Sequence, residues 1–86
     1  MPIVSSFFGI VIRMYFTEHQ LPHFHAEYQG QEVACSLNGA ILRGQLRSST
    51  AARLIREWAA CHQQELMENW HRVRNRQPLE PIPPLK

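Results

Sequence analysis

Cysteine is scarce in this sequence of 86 residues: Cys35 and Cys61 are the only two, and they lie far apart. The chain therefore has no disulfide framework, and we expect both thiols to be reduced, small core residues. Long apolar runs are lacking too. The longest, FFGIVI, is far shorter than the roughly 20 residues that span a bilayer, and no basic segment precedes it as in a secretion signal. We expect a cytoplasmic protein without membrane contact.

An excess of one charge is also missing, since nine Lys and Arg residues face seven Asp and Glu residues. A net charge of +2 does not by itself indicate a nucleic-acid-binding protein. The sequence has no P-loop, dinucleotide fingerprint, catalytic-serine motif or HExxH motif. The apolar content of 44% is typical of a folded domain. We expect one domain over residues 1–76 and a proline-rich tail over residues 77–86.

Alternation of apolar and polar residues predicts a short antiparallel meander. We expect a first strand over residues 7–16, with Phe8, Ile10, Ile12, Met14 and Phe16 facing the core. A second strand follows over residues 23–28, in which Phe24, Ala26 and Tyr28 face the core. The third strand is EVACSL. Asn38-Gly39, a strong hairpin signal, leads to a short fourth strand, AILRG.

The apolar period then changes to that of a helix over residues 50–75, whose apolar stripe includes Trp58, His62 and Trp70. Such a helix is ~38 Å long, against ~30 Å for a nine-residue strand, so it either bends or overhangs the sheet. An overhanging Trp70 would suit a homodimer. His62 lies within the stripe, which favours a buried, hydrogen-bonded side chain over a ligand.

The predicted class is therefore α+β: a meander of three to four strands, packed on one face by a long C-terminal helix. In the tail, Leu79, Ile82 and Leu85 recur every three residues, the period of a polyproline helix. This segment either lies on the end of the helix or frays.

Strand parity places several polar side chains together on the sheet face opposite the core. They are Arg13, Tyr15, His23, His25, Glu27, Glu32 and Ser36. One interpretation is metal-free cleavage of an RNA phosphodiester. His23 and His25 would be acid and base beside the carboxylate of Glu27, Arg13 would hold the phosphate, and Tyr15 would stack on a base.

A second interpretation is a metal site. His23 and His25 are ~7 Å apart along one strand, so both can reach one ion, with His19 as a third ligand and Glu27 as a fourth. Imidazole and carboxylate ligands suit zinc or another divalent ion. A third interpretation gives the face no chemistry: it keeps the domain soluble or contacts a protein. Separately, Arg53, Arg56 and Arg74 on the helix are candidates for contacts with nucleic-acid phosphates.

Three blocks of the sequence resemble a small prokaryotic family, domain of unknown function 4160. They are FFGIVIRMYFTEHQLPHFHAEYQG, IREWAACHQQELMENW and PLEPIPPL, and the likeness covers nearly the whole chain. Leu21-Pro22 stands where a double proline is common in the family. Family members often lie beside a gene for another small domain and are described as halves of toxin–antitoxin-like pairs or as transcriptional regulators. The resemblance therefore implies a regulatory role with a small protein partner, and it implies no catalytic residues.

Overall fold

The computed structural model describes residues 3–15 and 21–86, which form five strands followed by two helices. The strands are β1 (Ile3–Phe7), β2 (Ile10–Arg13), β3 (His23–Tyr28), β4 (Gln31–Ser36) and β5 (Ile41–Arg43). The helices are α1 (Ser49–Cys61) and α2 (Gln63–Arg74). All strand pairs are antiparallel, and the strand order in the sheet is the order along the chain. The predicted α+β class is confirmed, although the predicted number of strands was too low.

The first predicted strand, over residues 7–16, is in fact the end of β1, a tight turn and β2. Phe8 and Gly9 form that turn with φ values of 50° and 80°, the left-handed pair that a type I′ hairpin requires. Phe8 was predicted to face the core but is 61% exposed. The prediction was wrong because an aromatic residue seldom adopts a positive φ and so conceals the turn. Phe16 lies outside the described residues.

The single predicted helix is broken into α1 and α2 at His62. The side-chain amide of Gln63 donates to the carbonyl oxygen of Ala59 at 2.8 Å and also to that of Leu37. A side chain thus takes the carbonyl that the backbone N–H of residue 63 would use in a continuous helix, which interrupts the ladder. The helix therefore bends rather than overhanging the sheet. Neither α1 nor α2 is long and apolar enough to cross a membrane.

The core lies between the helices and one face of the sheet. Trp58 of α1 is fully buried, with its ring centroid 5.6 Å from that of Phe24 and 5.4 Å from that of Phe7. Ile10, Ile12, Met14 and Phe24 are buried as parity predicts. Ser48 caps α1 by accepting a hydrogen bond from the N–H of Ala51 at 3.0 Å. Gly39 has a φ of 91°, and a Cβ there would lie 2.8 Å from the Cα of Arg56, so the β4–β5 turn can approach α1 this closely only with glycine.

The two cysteines have different environments. Cys35 is buried in the core, and its burial raises the pKa of its thiol to about 12, so the thiol stays protonated. Cys61 was also predicted to be a core residue, but it is exposed at the end of α1. That prediction was wrong because Cys61 lies outside the apolar stripe of the helix, where its small, apolar character does not decide burial.

The C-terminal tail covers the β1 edge of the sheet. The N–H of Ile82 donates to the carbonyl oxygen of Val4 at 2.8 Å, and the side chain of Ile82 is only 3% exposed. The indole N–H of Trp58 donates to the carbonyl oxygen of Pro83 at 2.9 Å. Asn69, fully buried, donates to the carbonyl oxygen of Glu80 at 2.8 Å and accepts from its N–H at 3.0 Å. The tail therefore lies against the domain, the first of the two alternatives.

Candidate functional site

The sheet face opposite the helices carries the polar residues that parity predicts. Arg13 of β2 pairs with His25 of β3, and Glu27 of β3 pairs with Glu32 of β4. Phe24, between the two histidines, is fully buried on the other face. We call Tyr15, His23 and His25 the outer-face cluster, because their rings pack together on this side.

His25 lies at the centre of the outer-face cluster. Its ring is stacked on that of Tyr15, with centroids 4.5 Å apart and planes 13° apart. Both ring nitrogens are buried and have no hydrogen-bond partner among the described residues, and Nδ1 is 3.7 Å from Oε1 of Glu32, beyond hydrogen-bonding distance. Burial, with the neighbouring His23 second, lowers the pKa of His25. At neutral pH the imidazole is uncharged, so one of its nitrogens is free to accept a proton.

His23 is held more tightly than a surface histidine. Only 6% of it is exposed, and its ring lies 5.0 Å from that of His25 and 5.4 Å from the indole of Trp70 in α2. Its Nδ1 is 2.7 Å from the carbonyl oxygen of Leu21. A carbonyl only accepts, so Nδ1 carries the proton and the ring is fixed in one tautomer. His23 was expected to project into solvent; it is instead buried, with its ring against Trp70 of α2.

Arg13 and Glu27 are already paired with each other. The guanidinium nitrogen Nη1 donates to Oε1 of Glu27 at 3.0 Å, and both side chains are partly exposed. Arg13 therefore holds a phosphate only when it leaves Glu27 or binds through its other donors.

The burial of Tyr15, with Glu32 as the second cause, raises the pKa of the Tyr15 phenol.

Of the predicted metal ligands, His23, His25 and Glu27 lie among the described residues. Among residues 3–15 and 21–86, no three His, Cys, Asp or Glu side chains converge in a way that could hold a metal ion. His23 has committed Nδ1 to Leu21, so only its Nε2 remains as a donor atom. His19, the third predicted ligand, lies outside the described residues. Zinc binding stays a prediction that depends on His19.

The three predicted phosphate-contacting arginines are divided between two helices. Arg53 donates to Glu57 at 2.8 Å within α1, where both side chains are about half exposed. Arg56 is exposed beside the β4–β5 turn, whereas Arg74 is exposed at the end of α2. His62 was expected to be buried and hydrogen-bonded and not to be a ligand. It is only partly buried, its Nδ1–H donates to the carboxylate of Glu65 at 3.0 Å, and its ring centroid lies 5.6 Å from that of Trp58. Contact with nucleic acid stays a prediction.

One surface was not found from the sequence. An open groove of about 340 Å³ lies at the end of the sheet where β3 begins and β4 ends, and its lining includes Leu21, Leu37, Leu42 and Met67. Leu21 is 76% exposed, Leu42 54% and Met67 44%. We call this the apolar groove. Two sequence features could have indicated these exposed residues: Met67 lies off the apolar stripe of α2, and Leu42 directly follows another apolar residue in a strand.

Together these features define a class: a small α+β domain with a helix-covered antiparallel meander, a compact imidazole cluster and an exposed apolar groove. The family comparison makes this specific. Residues 9–71, nearly three quarters of the chain, match the family model described as Domain of unknown function (DUF4160), and the chain belongs to that family. Comparisons with curated proteins and with solved structures gave no match.

Proposed function

We propose that this protein is a binding component, one half of a two-protein, toxin–antitoxin-like regulatory module, and that it acts by holding a second small protein. The observation that carries the proposal is the apolar groove. Leu21, Leu42 and Met67 expose large apolar surfaces around one concavity instead of burying them. Clustered exposed apolar side chains with a polar surround are typical of protein-binding sites.

The location and the partner belong to the same proposal. Cys61 is exposed and unpaired, which suits a reducing cytoplasm. The resemblance to families encoded beside a second small domain makes the product of the adjacent gene the expected partner. A regulatory role follows if that partner has an activity that the complex switches off or on.

The proposal is tested by calorimetric titration of this chain with the product of the adjacent gene. Met67→Asp places a charge in the apolar groove, and we expect it to weaken binding by roughly 100-fold, about 2.7 kcal/mol. Phe8→Asp is the matched control, since Phe8 is also a large exposed apolar residue but lies on the β1–β2 turn. No heat of binding with the wild-type chain, or equal losses in both variants, would refute the proposal.

A second candidate function is cleavage of an RNA phosphodiester at the outer-face cluster. The ring nitrogens of His25, which have no hydrogen-bond partner among the described residues, support this candidate. Because both nitrogens are buried, the candidate requires that RNA displaces the Tyr15 ring that is stacked on His25. His23, with Nδ1 fixed on Leu21, would present Nε2. Arg13 would supply the phosphate contact after release from Glu27.

This candidate is tested by incubating single-stranded RNA with the wild-type chain and with His25→Phe, which keeps an aromatic ring on Tyr15 but removes both nitrogens. The candidate predicts at least roughly 100-fold slower cleavage by the variant, the range of a lost acid–base group. His71→Phe, an exposed histidine of α2, is the control. Absence of cleavage by the wild-type chain eliminates the candidate and leaves the binding proposal standing.

A further inference from the structure

The outer edge of β5 is open, and it lies beside the apolar groove. β5 is the last strand of the sheet, and on its outer side no strand from the described residues pairs with it. An unpaired strand edge presents N–H and C=O groups that can bind another extended segment. Ile41 is 40% exposed and Leu42 54% exposed. The three-residue length of β5 and a register irregularity against β4 shorten this edge, but its exposed apolar side chains leave it accessible to a partner segment.

Two positive charges lie at this edge. Arg43 ends β5 and Arg47 follows shortly after it, both are exposed, and neither forms an ion pair with a carboxylate in the part of the chain that the structure describes. The side chain of Gln31 accepts from the backbone N–H of Arg47 at 2.9 Å, which anchors the chain there and leaves the guanidinium free of that contact. A partner that lies along β5 therefore meets positive charge.

The same charges argue against a second copy of this chain at the edge. The β5 segment of a second copy offers no carboxylate to these arginines, because residues 40–48 contain Arg43 and Arg47 but no Asp or Glu. A segment that carries carboxylates gains the attraction that a second copy lacks.

We propose that β5 binds an extended, acidic segment of the partner protein, which adds to the sheet as a further strand. An apolar side chain of that segment enters the apolar groove beside Leu42 and Met67, and its carboxylates face Arg43 and Arg47. Backbone hydrogen bonds give the affinity, and the groove and the arginines give the specificity. This inference rests on the proposed function, because it names how and by what chemistry the partner binds.

Hydrogen exchange on the full-length chain, alone and in complex with the adjacent gene's product, tests the pairing. We expect the β5 amides, Ile41 to Arg43, to exchange at least roughly tenfold more slowly in the complex, while the β1 amides keep their rates. If the complex forms and the β5 amides are unchanged, the strand addition is refuted and the binding function stands. If no complex forms, the proposed function itself fails and this inference fails with it.

Charge reversal tests the acidic character of the segment. The double variant Arg43→Glu, Arg47→Glu is expected to bind at least roughly tenfold more weakly at low salt, and raising NaCl to about 0.5 M should narrow the difference. The matched control is Arg74→Glu, Arg76→Glu, the same charge change at exposed positions at the end of α2. Equal affinity of the two double variants would overturn the inference. A dimer of the chain alone that dissociates in Leu42→Asp would assign the edge to a second copy and overturn it too.

Discussion

The two edge strands of the sheet, β1 and β5, both carry apolar residues but differ in what covers them. At β1, the tail brings Ile82 within hydrogen-bonding distance of Val4 and buries it to 3% exposure. At β5, Ile41 and Leu42 remain 40% and 54% exposed. Ile3 at the start of β1 is itself 56% exposed, so the tail covers β1 around Val4 and not along its whole length. The tail therefore protects part of one edge, whereas the described residues provide no such cover for β5.

The sealed edge is held by several interactions at once. Trp58, Asn69 and Val4 each hydrogen-bond the tail, at Pro83, Glu80 and Ile82 respectively. Because these bonds come from a helix core residue, a buried amide and a strand, the tail joins all layers of the domain. The contacts at the β1 edge therefore contribute to stability, whereas no strand of the described residues pairs with the outer side of β5.

The largest expected difference between the two edges comes from truncating one isoleucine at each of them. Ile82→Ala is expected to lower the free energy of unfolding by about 3 kcal/mol, since it removes a fully buried side chain and leaves a cavity. Ile41→Ala is expected to cost less than about 1 kcal/mol, because its side chain is already partly solvated. Urea unfolding of both variants measures the difference. Equal losses would show that the two edges are not distinct.

The next largest effect on stability is expected from removing the buried side-chain amide of Asn69. Asn69→Ala leaves the N–H and C=O of Glu80 without their partner and removes the acceptor of Arg72, so we expect a loss of about 2 kcal/mol. Gln64→Ala is the control: Gln64 lies exposed on α2 and should change stability by less than about 0.5 kcal/mol. Urea unfolding measures both, and a loss at Asn69 no larger than that at Gln64 would mean that the tail is not held through this amide.

Much of the sheet was predictable because alternation decides which side of a strand is buried. The burial of Phe24 followed from parity alone, and the Asn38-Gly39 hairpin followed from turn chemistry. β1 was missed because Ser5 and Ser6 interrupt its apolar pattern and a register irregularity lies between Ile3 and Ser5. The alternation of apolar and polar residues along a single strand does not indicate such an irregularity in its pairing.

The site was less predictable than the fold, since it depends on contacts between distant segments. The helix break depends on Gln63 reaching Leu37 and Ala59. The burial of His23 depends on the position of Trp70 after that break. The apolar groove joins residues from four parts of the chain, of which Leu21, Leu42 and Met67 are the most exposed. No periodicity brings such residues together, so only the tertiary structure shows them.

Between the two edges, His25 gives the sheet a pH dependence. The unfolded chain takes up a proton on this histidine near its ordinary pKa of 6.5, while the folded chain does so only at lower pH because burial lowers the pKa. As the pH falls below about 6.5, the unfolded state binds more protons, so the free energy of unfolding decreases.

We expect His25→Phe to flatten this decrease in urea unfolding measured between about pH 7.5 and pH 5. Gln64→Phe, at an exposed position on α2, controls for the added ring without removing a titratable group and should keep the wild-type slope. A slope that steepens in His25→Phe would mean that the imidazole is charged in the folded protein, contrary to its lowered pKa.

The smallest expected effect lies at the turn between β1 and β2. Phe8 adopts a φ of 50° while 61% exposed, so its ring gains little burial to offset the backbone strain. Asparagine tolerates this conformation, and Phe8→Asn should raise the free energy of unfolding by about 0.5 kcal/mol. Thermal unfolding measures it. A loss of stability would show that the Phe8 ring supports the β1 side after all.

The most direct test of the central claim compares both edges in one sample, by mapping backbone amide NMR shifts while the adjacent gene's product is added to the labelled chain. We expect shifts over residues 36–44 and around Met67, with residues 4–7 and 79–83 unchanged. Shifts confined to β1 and the tail, with β5 unaffected, would contradict it.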